Sequence, residues 1–191
     1  MHLLRHAFFE TQNRSRVELT PSEQILQKKP RILIIGIGNA YRGDDAVGFV
    51  VAQRLKEQTL DYVSVLEKSG DGVALMESWK NADTVILVDA VYSDVKPGTL
   101  HRFDAHAQPI PVKFFCYSTH AFSVAEAIEL SRTFNQLPPH LIVYGIEGKC
   151  FEAGAGLSLE VEEAARTVVK YIQHDIYSID PFPGCISSDS L

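Results

Sequence analysis

Two carboxylates and one imidazole stand where the sequence changes from an apolar pattern to a polar one. Asp45 follows the apolar run 31–37 and a glycine-containing loop, Asp89 ends the apolar run 84–88, and His120 precedes a helical pattern. If the apolar runs are parallel strands, their carboxyl ends meet at one edge of a sheet, and the three side chains lie close together there. Two carboxylates with one neutral imidazole make a nitrogen and oxygen site of intermediate hardness, which suits Ni²⁺, Zn²⁺, Co²⁺ or Mn²⁺.

The loop before Asp45 contains a second acid and several turn-forming residues. Asp44 directly precedes Asp45, and an acid at the start of a helix bonds the unpaired N–H groups of the first turn. We therefore expect Asp44 to cap the helix that follows, which leaves the role of ligand to Asp45. Gly36, Gly38 and Asn39 are candidates for shaping this loop beside a substrate.

Several common site patterns are excluded. The third glycine of a dinucleotide-binding fingerprint would stand at Tyr41, and the helix begins too far after Gly38 to place its N-terminus beneath a phosphate. The chain has no P-loop, no HExxH or GxSxG pattern and no cysteine–histidine signature. Cys116, which precedes His120, is interpreted as a buried thiol. A nucleotide-binding protein is thus a disfavoured alternative.

Alternating strand and helix patterns position these residues. Continuous apolar runs rich in β-branched residues predict strands buried on both faces, and apolar residues at helical spacing predict the helices between them. One short strand follows a Lys-Pro-Gly turn, so we expect it to be antiparallel to its neighbour. These patterns predict an α/β fold, a three-layer sandwich with a mostly parallel sheet and helices on both faces. The predicted strands are 31–37, 62–67, 84–89, 99–103 and 141–146; the predicted helices are 45–56, 72–80, 120–134, capped by Ser118 or Thr119, and 159–173.

Composition limits the class of protein. The chain has 191 residues, of which 46% are hydrophobic and 22% charged, as is typical of a single globular domain. Its net charge of −6 argues against a nucleic-acid binder that works through bulk positive charge. The longest apolar stretches are too short to cross a membrane. Three sparse cysteines without a CxxC pair indicate reduced thiols in a cytoplasmic protein.

The ends of the chain differ from its middle. Residues 1–30 have no clean pattern and are interpreted as a partly mobile N-terminal extension, with a short helix expected over 22–27. The alternating elements make 31–174 a single α/β domain. Residues 175–191 are rich in Ser, Asp, Pro and Gly over most of their length and are interpreted as a C-terminal tail.

Four motifs in register carry a resemblance to a known family. The run Gly36-Ile-Gly-Asn-Ala-Tyr-Arg-Gly-Asp-Asp-Ala-Val-Gly48 resembles the opening motif of the hydrogenase maturation proteases, commonly G-x-G-N-x-x-x-x-D-[DE]-G-x-G. The run 85–90 with Pro97-Gly98-Thr99 is similar to the second motif, Ser118-Thr-His120 to the third, and Gly145-Ile-Glu147 to the fourth. The order and spacing of the motifs agree over roughly residues 31–171, about three quarters of the chain.

The resemblance implies an endopeptidase that removes a short C-terminal peptide from the large-subunit precursor of a [NiFe] hydrogenase after nickel insertion. Carried over position by position, the family's metal-contacting residues fall on Asp45, Asp89 and His120, which are therefore the implied catalytic and metal-contacting residues. The nickel is implied to come with the substrate, and no organic cofactor is implied. The family also implies a twisted five-stranded sheet, while the attacking group stays unassigned.

Several points stay open beside the resemblance. Glu147 either touches the substrate or stabilises its own loop. The stretch Glu67-Lys-Ser-Gly-Asp-Gly72 replaces a family stretch rich in Asp and Gly, so Glu67, Asp71 or neither does the work of the family's acid. Ala46 stands where the family often has glycine. The alternative function is a catalytically silent module of the same fold that senses metal or binds the precursor without cleaving it.

Overall fold

Strands and helices alternate along the chain. The computed structural model describes residues 30–58, 62–115 and 122–179. Within these ranges the strands are β1 (Ile32–Ile37), β2 (Val63–Lys68), β3 (Thr84–Val91), β4 (Leu100–Asp104) and β5 (His140–Glu147), and the α-helices are α1 (Val47–Lys56), α2 (Gly72–Trp79), α3 (Val124–Thr133) and α4 (Leu159–Ile179). Two 3-10 turns cover Gly43–Ala46 and Val112–Phe115.

The five strands form one mixed sheet in the order β2-β1-β3-β5-β4. The pairs β1–β2, β1–β3 and β3–β5 are parallel, and the edge strand β4 pairs with β5 in the antiparallel direction. The short connection from β3 to β4 leaves no room for a crossover helix, which is why β4 reverses direction. The α/β fold with one antiparallel strand, predicted from the sequence, is confirmed.

Two helical layers cover the sheet. Every residue of β1 and β3 is buried, and their side chains alternate between the two faces. Helices α1 and α4 pack on one face through residues such as Val51 and Val168, while α2 and α3 pack on the other through residues such as Trp79 and Ile128. In the described part of the chain, no helix is both long enough and apolar enough to cross a membrane.

Two helices begin later than the sequence predicted. The predicted start at residue 45 is wrong, because residues 43–46 form a 3-10 turn and α1 begins at Val47. Helix α3 begins at Val124 and not at residue 120, because Ser123 and Glu126 form a capping box: Ser123 N donates to the Glu126 carboxylate (2.7 Å), and Glu126 N donates to Ser123 Oγ (3.4 Å). The predicted caps, Ser118 and Thr119, lie outside the described residues.

Helix α4 is longer than predicted. It continues to Ile179, beyond the predicted helix end at 173 and the predicted domain boundary at 174. The last turns remain helical because Ile176 is buried and Asp175 accepts a hydrogen bond from Tyr144 Oη (2.7 Å). Residues 175–179 therefore belong to the packed domain. The rest of the predicted tail and the predicted N-terminal extension with its helix over 22–27 lie outside the described residues, except for residue 30.

Candidate active site

The strand order changes direction between β1 and β3, and we call the region beyond the carboxyl ends of these two strands the crevice. Ligands of open α/β sheets bind at such switch points. Helix α1 approaches these strand ends closely because Gly48 has no side chain: a Cβ at this position would overlap the carbonyl oxygen of Ile37 and lie 2.5 Å from that of Val88. The 3-10 turn before α1 is therefore held over the crevice.

Backbone hydrogen bonds fix the loop that carries Asp45. Gly38 has a φ of +145°, and a Cβ there would overlap the carbonyl oxygen of Asp45. Asn39 N donates to Asp45 O (3.1 Å), and Asp45 N donates to Arg42 O (3.1 Å). The side chain of Asn39 accepts a hydrogen bond from Tyr41 N (3.0 Å) through its Oδ1. These bonds within the loop help to hold Asp45 in position.

Asp89 lies near the end of β3 and is 6% exposed. Burial raises the pKa of its carboxyl well above the ordinary value, and the negative charge of Asp45 raises that pKa further. A hydrogen bond from the backbone N–H of Ala90 lowers the pKa in part. Two of the three predicted site residues, from different segments, are therefore close enough in the crevice for their charges to interact.

Asp44 is completely buried and accepts four hydrogen bonds from a distant segment. Its carboxylate bonds Lys149 N (2.8 Å), Cys150 N (2.8 Å), Ser158 N (2.7 Å) and Ser158 Oγ (3.0 Å). None of these donors belongs to the turn or helix that follows Asp44. The expectation that Asp44 caps that helix is therefore wrong, and its carboxylate instead ties the site loop to residues 149–158.

Glu147 is also completely buried, at the end of β5. Its carboxylate accepts hydrogen bonds from Ser93 N (2.7 Å), Ser93 Oγ (2.8 Å) and Val95 N (3.4 Å). Its backbone bonds the same connection, since Gly98 N donates to Glu147 O (2.8 Å). All these contacts are with the segment between β3 and β4, the segment that follows Asp89.

His101 is a neighbour of Glu147 that the sequence analysis did not single out. Its Nε2 lies 3.5 Å from Glu147 Oε2 without the alignment of a hydrogen bond, and its side chain is 18% exposed. The ring packs edge-on against Phe114, with 4.9 Å between the centroids, and lies parallel to Phe103. The alternation of β4 predicts that His101 lies on the same face as Phe103, but it does not predict the position of His101 beside Glu147.

The two acids left open by the sequence have separate surroundings. Glu67 forms an ion pair with Lys56 of α1, with 2.7 Å between Oε1 and Nζ. Asp71 caps α2, because its carboxylate accepts a hydrogen bond from Ala74 N (2.8 Å). Asp71 thus has a structural role at the start of α2, and Glu67 is engaged on the side of the sheet that α1 covers.

The crevice supplies two oxygen donors for a cation. His120 and Cys116 lie outside the described residues, and within the ranges that the structure describes no group of three His, Cys, Asp or Glu side chains is arranged to hold a metal. The carboxylates of Asp45 and Asp89 are chemically suited to a divalent cation. A bound cation compensates the repulsion between the two carboxylates and the free-energy cost of burying an ionised Asp89. Further ligands for such a cation must come from other residues or from a substrate.

Comparisons with known proteins point to one family. The family model of hydrogenase maturation proteases (HycI) matches residues 49–175. A protein of Methanocaldococcus jannaschii named for the same protease family is 30% identical over 155 residues, which are 78% of this chain and 98% of that protein. The hydrogenase 2 maturation protease of Escherichia coli is 29% identical over 136 residues, 69% of this chain and 82% of that protein.

A solved structure agrees with these sequence matches. The [NiFe] hydrogenase maturation protease HycI from Thermococcus kodakarensis superposes with a TM-score of 0.60 at 27% identity, over 82% of this chain and 99% of that one. The structural similarity therefore extends over most of this chain and nearly all of the other.

Proposed function

The chain belongs to the hydrogenase maturation protease family, and we propose that it removes the C-terminal extension of a [NiFe] hydrogenase large-subunit precursor after nickel has been inserted. In this proposal Asp45, Asp89 and His120 recognise the nickel as part of the substrate. The observation that carries the proposal is the proximity of Asp45 to the buried carboxyl of Asp89 in the crevice of the sheet.

The electrostatics of the crevice support a cationic cargo. Without a cation, the buried Asp89 carboxyl resists ionisation, both because it is desolvated and because Asp45 is close. A divalent cation favours the ionised form of both groups, so the binding of metal and the release of protons are coupled. An imidazole at His120 would complete a set of nitrogen and oxygen donors that suits Ni²⁺.

The backbone that carries the two carboxylates is held in place, which supports a positioning role. Asp45 stands on a loop held by backbone hydrogen bonds and by the contacts of Asp44 with residues 149–158, and Asp89 stands on a buried strand. Rigid ligands place a scissile bond without further loss of conformational entropy. Nickel bound to the precursor supplies a Lewis acid that polarises a carbonyl or lowers the pKa of a bound water.

The same arrangement makes cleavage depend on prior metal insertion. A precursor without nickel offers no cation to Asp45 and Asp89, so the repulsion between the two carboxylates remains and the precursor binds weakly.

We assign the reaction to the cytoplasm, and we propose that it needs no organic cofactor. The sparse cysteines support this assignment, as does the free thiol of Cys150.

A processing assay tests the proposal. The purified chain is incubated with a nickel-loaded large-subunit precursor and, in parallel, with the nickel-free form, and the masses of the products are measured. We expect loss of a C-terminal peptide from the nickel-loaded precursor only. Binding without a change of mass would favour the catalytically silent module, and cleavage of both forms would contradict nickel recognition.

Substitutions test the assigned residues. We expect Asp45→Asn, Asp89→Asn and His120→Ala each to lower kcat/KM by at least about 100-fold, because each removes a contact made to the metal. Glu163→Gln is the matched control: it neutralises an exposed acid of α4 and should leave processing unchanged. If a site variant stays folded and processes the precursor as fast as the control, that residue does not contact the nickel.

A further inference from the structure

Arg42 differs from the other described arginines in its surroundings. Five of these arginines form ion pairs with an acid: Arg31, Arg54, Arg102, Arg132 and Arg166. Within the described part of the chain, the guanidinium of Arg42 has no acidic partner and no hydrogen bond, although acids outnumber bases by 24 to 18 in the sequence. Arg42 is therefore a cation available to another molecule.

The residue beside it is an exposed aromatic. Tyr41 is 80% exposed, and its side chain has no bond within the ranges that the structure describes. Tyrosine and arginine are enriched among the residues that carry most of the binding energy in protein interfaces. Tyr41 and Arg42 are therefore two adjacent residues of the types that contribute most to binding at protein interfaces.

The backbone beneath these two side chains is fixed on both sides. Tyr41 O accepts a hydrogen bond from Gly154 N (2.8 Å), Arg42 N donates to Asn39 O (3.2 Å), and Arg42 O accepts from Asp45 N (3.1 Å). A residue pair on a fixed backbone loses little backbone entropy when it binds a partner. The same bonds place Arg42 at the start of the turn that carries Asp45, so a partner that reaches the crevice also reaches Arg42.

We propose that Tyr41 and Arg42 dock the hydrogenase large-subunit precursor: Arg42 binds an acidic side chain of the precursor beside its nickel centre, and Tyr41 packs on the adjacent surface. This inference rests on the proposed function, which makes the ligand of the crevice a folded protein. The anionic group that a protein presents to a guanidinium is a carboxylate, which arginine binds through two parallel hydrogen bonds. Docking through Arg42 adds affinity that does not depend on the metal.

Steady-state kinetics with the nickel-loaded precursor test the docking role. We expect Arg42→Ala to raise KM about 10-fold, the effect of losing one ion pair at an interface, with kcat within about 2-fold. Arg42→Lys should recover part of the loss, because it keeps the charge but not the two-pronged geometry. Arg166→Ala, which removes an exposed and paired arginine of α4, is the matched control and should leave KM unchanged.

Measurements of Kd and a charge reversal across the proposed interface complete the test. The Kd of the nickel-free precursor should rise about 10-fold with Arg42→Ala and about 3-fold or more with Tyr41→Ala. Arg42→Glu should bind poorly and should be rescued by a precursor in which one acid near the cleavage site is changed to arginine. An unchanged KM and Kd for Arg42→Ala, or a fall in kcat alone, would overturn the docking role while leaving the proposed function intact.

The outcomes separate the two proposals. If the wild-type chain binds the precursor through Arg42 but never shortens it, the docking role stands and the peptidase function fails. If the wild-type chain shortens the precursor and the arginine variants behave as the control does, only the docking role fails. If the wild-type chain neither binds nor shortens any precursor, both fail.

Discussion

The negative charge of Asp45 raises the pKa of Asp89, although one residue precedes helix α1 and the other lies within strand β3. The interaction exists because Gly48 lets α1 approach the ends of β1 and β3 without a side chain between them. Like charges held together at a buried position oppose folding, so the site is costly when no cation is bound. Removing one of the two carboxylates should reveal that cost as a gain in stability.

Replacing Asp89 by Asn should stabilise the unliganded protein. At pH 7 we expect the free energy of unfolding to rise by about 0.5–2 kcal/mol, as is common when a strained site residue is removed. The folded-state pKa of Asp89 is raised, so the wild-type chain loses stability as the pH rises above the ordinary value of 3.8. The difference in the free energy of unfolding between the Asn variant and the wild type should therefore become smaller as the pH falls toward 3.8. Urea titrations across the pH range measure it, and a less stable Asn variant at pH 7 would contradict the reasoning.

Removing the carboxylate of Asp44 should destabilise the fold. Asp44→Ala leaves the backbone donors of Lys149, Cys150 and Ser158 without their acceptor, and we expect a loss of about 3 kcal/mol in the free energy of unfolding. Ser158→Ala removes only the hydroxyl donor and should cost about 1 kcal/mol. Chemical denaturation of both variants gives the comparison. Equal effects would mean that the backbone bonds to Asp44 contribute little.

Glu147 should matter for stability more than for substrate binding. We expect Glu147→Ala to lower the free energy of unfolding by about 2–4 kcal/mol, because Ser93 N and Val95 N lose their buried acceptor. Glu147→Gln keeps the shape and one acceptor, so we expect a smaller loss and a KM within about 2-fold of the wild type. A large rise in KM for the Gln variant at unchanged stability would instead favour direct contact with the substrate.

Tyr144 should make stability sensitive to alkaline pH. Burial raises the pKa of Tyr144 from 10.0 to about 12, and its hydroxyl donates to Asp175 (2.7 Å). Because the folded-state pKa is the higher one, its contribution is complete below pH 10 and is lost as the pH rises toward about 12. Tyr144→Phe should be less stable at pH 7 by about 1 kcal/mol, and this difference should vanish near the upper end of that range. Thermal unfolding from pH 7 to 12 tests this, and a constant difference would contradict it.

The sheet was predictable because its signals are local. Continuous apolar runs mark β1 and β3 as strands buried on both faces, and the short turn before β4 marks its reversed direction. The start of α3 was also predictable, since Ser123 and Glu126 have the spacing of a capping box. The predicted helix nevertheless began at residue 120, four residues before the observed start at Val124. The end of α4 was missed because packing of Ile176 outweighs the polar composition of the last turns.

The site was predictable only in part. Strand ends placed Asp45 and Asp89 together, because parallel strands share a carboxyl edge. The partners of Asp44 are 105, 106 and 114 positions away in the sequence, and local sequence patterns do not predict contacts over such distances. The arrangement of His101 beside Glu147 depends on the register of β4 on β5, which the sequence alone does not specify.

The bond between Asp44 and Ser158 also has a consequence for how the protein is made. A ribosome synthesises Asp44 early, but its last partner follows 114 positions later. Until α4 begins to emerge, the turn that carries Asp45 and Arg42 lacks the anchor that holds it in the finished structure. Long-range contacts of this kind form late in folding. We therefore expect the turn before α1 to take its final position only after residue 158 has been translated, and a chain that ends earlier lacks this anchor.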